Sequence, residues 1–127
     1  MTYYPDLSEY RYSESSTPAL NIGWLDGHHP FTTGDTPPAL LGVLISLARN
    51  PTNVYRGIHF CELCPTFSEA QKSLRHDGAF LGTGEIRVVG RQGIEYAAPC
   101  MIIHYISDHN YLPPEEFIEA TLSSAAS

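Results

Sequence analysis

Cys61 and Cys64, two residues apart in Cys-Glu-Leu-Cys-Pro, offer the clearest chemistry in the chain. A tight turn with that spacing presents two thiolates along one edge of a tetrahedron. Zinc adopts that geometry with thiolate and neutral imidazole ligands. One such pair is half of a structural site, so two more ligands are needed. His59 lies two residues before Cys61 and shares its face on an extended strand. Cys100 and His104 are four apart and share a face on a helix, with His109 further on and on a different face. The spacing predicts a site of Cys61, Cys64 and His104, completed by either His59 or Cys100.

Other chemistry competes for the same residues. A buried cysteine often serves as a small hydrophobe, and a buried histidine is often only hydrogen-bonded. A redox Cys-x-x-Cys needs a helix N-terminus or a nearby cation to acidify a thiol. No helix-forming run starts at Cys61, and Pro65 suits a rigid turn. Four protein ligands would make a zinc site closed and structural. Three ligands and a water would make it catalytic, with Glu62 placed to act as a base. Elsewhere, His28-His29-Pro30 reads as a hydrogen-bonded turn. Gly82-Thr83-Gly84 lacks the helix and lysine of a phosphate loop, and no serine sits in a nucleophile elbow.

The elements that must position these residues fit one domain spanning 1–127, with a frayed tail at 123–127. The tyrosine-rich start, with Tyr3, Tyr4, Tyr10 and Tyr12, reads as an edge strand or packed arm. Ala19 to Leu25 reads as a strand or extended segment carrying Trp24. A helix is predicted over 37–49, capped by Thr36 with Pro37 at its first position. Val54 to Cys61 reads as a strand leading into the cysteine turn. Phe67 to His76 reads as a short polar helix, since Thr66 and Glu69 have capping-box spacing. The alternation of Ile86 and Val88 with Glu85 and Arg87 predicts a hairpin or meander over 79–96. Pro99 opens a second helix to about His109, and Pro113-Pro114-Glu115-Glu116 opens a third. The expected fold is α+β, a small mostly antiparallel sheet packed with about three helices.

Composition narrows the partners. Seven basic residues against 14 acidic ones give a formal net charge of −7, which repels nucleic acid and suits a basic protein. No apolar run is long enough to span a bilayer, and no signal peptide opens the chain. The odd count of three cysteines argues against a disulfide framework and for the cytoplasm.

A series of short motifs extends along the chain. It comprises Tyr-Pro-Asp-Leu-Ser-Glu-Tyr at 4–10, Asn-Ile-Gly-Trp-Leu at 21–25 and His-Pro-Phe at 29–31. It continues with Arg-Gly-Ile-His-Phe-Cys-Glu-Leu-Cys at 56–64, Gly-Thr-Gly-Glu-Ile-Arg-Val at 82–88 and Tyr-Ala-Ala-Pro at 96–99. Ile-Ile-His-Tyr at 102–105, His-Asn-Tyr-Leu-Pro at 109–113 and Pro-Pro-Glu-Glu-Phe at 113–117 complete it. The series resembles a small bacterial domain family of unknown function. That resemblance implies a bacterial, stand-alone cytoplasmic domain. It also implies a ligand set of His59, Cys61, Cys64 and His104, since the family pattern does not demand a cysteine at position 100.

The expected function is that of a small acidic protein-binding module, of the type that neutralises a toxin, holding a structural Zn2+. Two alternatives stand beside it. One is a zinc-stabilised domain of unassigned role. The other is a metal-dependent enzyme with an open site near Cys61, using His104, His59 and Glu62. The lack of any other catalytic constellation argues against an enzyme.

Overall fold

The computed structural model describes residues 3–10, 19–52 and 58–126. Strand β1 (Glu9–Tyr10) pairs antiparallel with β2 (Ala19–Asn21), and Tyr4 bridges to Trp24 alongside them. The start of the chain therefore supplies an edge strand, although Tyr12 lies outside the described residues.

Helix α1 (Pro38–Ala48) begins one residue later than expected. Pro37 is its N-cap, with ψ 139°, and Pro38 takes the first helical position. A residue that precedes proline is pushed into extended backbone, so Pro37 cannot itself be helical. Thr36 consequently makes no cap. Most of the strand expected at 54–61 lies outside the described residues, and 58–61 form no strand. There the His59 N–H donates to the Gly82 carbonyl at 2.7 Å.

Helix α2 (Phe67–Lys72) has the predicted cap, with Thr66 Oγ1 accepting from the Glu69 amide at 3.1 Å. It stops short of His76. Asp77 (φ 47°) and Gly78 (φ 81°) both take left-handed backbone and fold β3 (Arg75–His76) back onto β4 (Ala79–Phe80). Asp-Gly is one of the dipeptides that such a turn favours, and it outweighs the helical pattern around it.

Strands β5 (Glu85–Val89) and β6 (Glu95–Pro99) form the predicted hairpin. Pro99 ends β6 opposite Glu85 and does not open a helix. The Cys100 amide donates to the Gly84 carbonyl at 3.2 Å, carrying the pairing past Pro99. A proline at the end of a strand is tolerated because few ladder bonds remain to be made. Helix α3 (Ile102–His109) starts after that turn, so Cys100 and His104 do not share a helix face. Helix α4 (Glu115–Ala126) carries Glu115 and Glu116 in its first turn as predicted, and extends into the stretch read as a tail.

The larger sheet has the order β1-β2-β6-β5, and β3-β4 is a separate ribbon. The β2–β6 pair is parallel, so the sheet is mixed where a mostly antiparallel one was expected. The Trp24 indole donates to the Ala97 carbonyl at 3.0 Å and locks that junction. Helices α1 and α4 pack on each other and on β5, and α1 also meets α3. Leu40, Leu44, Ile86, Ile103 and Phe117 are fully buried between these layers. The architecture is α+β, with four helices among the described residues. None of those helices is long and apolar enough to cross a membrane.

Gly84 shows how tightly the loop after α1 is tied down. Its φ is +86°, and a Cβ there would lie 2.7 Å from Pro51 Cβ. Thr52 and Glu85 exchange backbone hydrogen bonds of 2.9 and 2.7 Å beside it. Gly84→Ala meets both strain and a clash, so chemical denaturation should show a loss of about 2–3 kcal/mol.

Candidate metal centre

The cysteine turn and the C-terminal end of α3 meet in space. Cys64 Sγ lies 3.2 Å from His104 Nε2 and 3.7 Å from His109 Nε2. Cys61 Sγ lies 3.5 Å from His109 Nε2, and the two imidazole Nε2 atoms are 3.2 Å apart. All four donor atoms lie within 4.8 Å of one another. The two rings stand edge to face, with centroids 4.8 Å apart and planes at 89°. Both nitrogens can thus aim at one point.

Local structure explains this convergence. Leu63 N–H donates to Cys61 Sγ at 3.3 Å, which curls the turn around the first sulfur. On α3, five residues separate His104 from His109, which on a regular helix would place them roughly 140° apart. The end of α3 is not regular. Asn110 is left-handed (φ 57°, ψ 28°), and its amide reaches back five residues to the Tyr105 carbonyl. The Tyr111 amide donates to the same oxygen at 3.1 Å. Such a turn is wider than an α turn, so five residues make little more than one revolution. His109 swings back beside His104.

The residues predicted for the site fall into two groups. Cys61, Cys64 and His104 come together. His59, expected as the fourth ligand on the resemblance, does not join them: its Nε2 lies 3.4 Å from the Tyr105 hydroxyl. Burial holds the His59 pKa down to about 4, so the ring is neutral and suited to that contact. Cys100 lies apart, fully buried and packed near Gly84. Glu62 accepts from the Gly27 amide at 3.3 Å. His29 contacts Asp26, with Nδ1 2.8 Å from Oδ1, and its ring stacks on Tyr3 at 3.8 Å. His109 is the residue that sequence reasoning placed on the wrong face. Asn110 directly after it, a residue type that favours left-handed helix ends, was the available signal.

Without a metal the cluster is held in its neutral forms. Burial pushes the Cys61 thiol up to about 12, and the neighbouring Cys64 adds to the rise. Burial also lowers the His104 pKa, only partly offset by Asp108, so that imidazole is neutral. Two thiols and two imidazoles face one centre. A divalent cation there would hold both sulfurs as thiolates and use the imidazole lone pairs. The four residues could hold a metal ion.

The spacing fits that role. With Zn–S near 2.3 Å and Zn–N near 2.05 Å, tetrahedral edges are about 3.3 Å between nitrogens and about 3.6 Å between nitrogen and sulfur. Four of the six donor pairs, at 3.2 to 3.7 Å, lie close to those edges, and all six lie within 4.8 Å. Behind the site, His104 Nδ1 lies 3.7 Å from Asp108 Oδ2, where a carboxylate orients a ligating ring and strengthens it as a donor. Asp108 is exposed, which dilutes the effect. Asp108→Asn should weaken metal affinity by about 10-fold or less, measured by competition with a chromophoric chelator.

Neither a curated protein nor a solved structure matches this sequence. A family model does match it across residues 2–122, and the chain belongs to that family, the domain of unknown function DUF7919.

Proposed function

We propose that the chain is a zinc-stabilised domain in which Cys61, Cys64, His104 and His109 hold one structural Zn2+. The observation that carries this reading is the convergence of two sulfurs and two Nε2 atoms within 4.8 Å, from segments some 40 residues apart in sequence. Two thiolates with two imidazoles in a tetrahedron suit zinc better than the hard cations, which take oxygen ligands. Four protein donors leave no position for a water. That favours a structural role over the open, catalytic alternative near Cys61.

A redox Cys-x-x-Cys of the oxidoreductase kind is disfavoured by the same neighbourhood. Helix α2 begins three residues after Cys64, not at Cys61, and the Cys61 thiol is raised by burial where such an enzyme needs it lowered. The protein-binding role expected from size and acidity rests on composition alone.

The test is elemental analysis of untagged protein, purified reduced and without chelators. About one zinc per chain is expected. One equivalent of another metal would keep the site and refute zinc. Protein with no metal at all would return the four residues to ordinary packing.

A further inference from the structure

We infer that Cys61 and Cys64 are a peroxide-oxidisable pair, so that the site takes hydrogen peroxide as a modifying reagent and gives up its zinc as a disulfide forms. This rests on the zinc reading above, because the metal is what holds both sulfurs as thiolates.

The two sulfurs are not equivalent. Cys61 is buried, 4% exposed, and its sulfur accepts the Leu63 amide hydrogen bond, which ties up a lone pair. Cys64 is half-buried, and its sulfur meets His104, His109 and the Ser73 hydroxyl at 3.7 Å. Oxidation follows thiolate character and access. Cys64 is therefore the sulfur attacked first, and Cys61 the sulfur that resolves.

The chemistry balances. The Cys64 thiolate attacks one peroxide oxygen, the O–O bond breaks, and hydroxide leaves a sulfenic acid on Cys64. The Cys61 thiolate then attacks that sulfur, the S–S bond forms and the S–O bond breaks, releasing a second hydroxide. Two protons from solvent convert both hydroxides to water. The two sulfurs supply two electrons to the peroxide, while zinc stays divalent and loses two of its four ligands. Two imidazoles alone hold it weakly.

The surroundings permit the change. Residues 62–66 form no helix or strand, so the turn can close to a disulfide without breaking a ladder. Helix α2 buries only Ala70, so few packing contacts resist its movement. Cys100, fully buried and outside the cluster, is not a competing partner.

The experiment uses the full-length protein, with its zinc content measured first. Hydrogen peroxide is added, zinc release is followed with a chromophoric chelator, and tryptic peptides are weighed. Cys61 and Cys64 fall within one peptide, Gly57 to Lys72, and Cys100 in another. The expected result is one zinc released per disulfide, with the first peptide lighter by two hydrogens and dithiothreitol restoring zinc binding. A sulfenic acid trapped by dimedone on Cys64, and not on Cys61, is expected early in the reaction. Zinc-loaded protein that keeps its metal in peroxide, or that releases it only with irreversible sulfinic acid at Cys64, would overturn the inference. Protein without zinc at the start would overturn it by removing its premise, and the initial metal measurement identifies that case.

Discussion

Cys61→Ser should bring the metal content from about one zinc per chain to nearly none and lower the melting temperature by roughly 10–20 °C. A hydroxyl at position 61 is a poor ligand for zinc and leaves three donors. Structural zinc binds small domains with an apparent free energy of about 10–16 kcal/mol, and folding there depends on it entirely. Here the chain also buries an apolar core around Leu40, Leu44, Ile86, Ile103 and Phe117, with Cys61 at one edge of the same cluster. Only part of the binding energy then counts toward stability, about 3–5 kcal/mol, and each kcal/mol is worth a few degrees in a domain this size. The loss should concentrate in the cysteine turn and α2, where Ala70 is the one buried helix residue. Calorimetry with and without a strong chelator gives the same comparison in the unaltered chain. A Cys61→Ser protein that melts with the wild type would remove the metal from the fold.

The second large effect separates two histidines. His109→Ala should cut zinc affinity by more than about 100-fold, beyond the range of changes outside the ligand shell. His59→Ala should leave the affinity within about 10-fold, because its Nε2 meets the Tyr105 hydroxyl and not the sulfurs. Both variants are read by chelator competition on protein loaded with a single equivalent of zinc. The reverse order of effects would give the fourth position to His59. Equal, small effects would leave three ligands and reopen the catalytic alternative. Cobalt substitution adds an independent reading, since a tetrahedral site with two thiolates has strong visible absorption that His109→Ala would reshape.

These outcomes turn on a part of the site that was not legible in the sequence. Cys61, Cys64 and His104 could be read because each follows from local spacing or from a residue type with few other uses. His109 could not, because its position depends on how α3 ends. The left-handed Asn110 and the wide turn onto Tyr105 bring it round, and a constant helical period places it elsewhere. The fold divides in the same way. The Thr66 cap of α2 and the acidic start of α4 are local signals and were borne out. The start of α1 slipped by one residue because two prolines compete for the first position and only the second can be helical. Pro99 read as a helix opener because its local sequence carries no trace of the β5 strand opposite it. The parallel pairing of β2 with β6 was likewise hidden, since period-2 patterning says which face is buried and not which strand is the neighbour.

That parallel junction also bears on how the chain folds. The Trp24–Ala97 hydrogen bond closes a loop of 73 residues, while the cysteine turn and His104 are separated by 40. Closing longer loops costs more chain entropy, and distant pairings tend to form late. On the proposed zinc reading, metal capture therefore need not wait for the sheet to complete, and can precede it as a nucleating event. Trp24 is the only tryptophan, so its fluorescence follows the final docking of the amino-terminal strands while a bound cobalt ion follows the earlier step. The two ends of the folding process carry separate optical labels in the unmodified sequence.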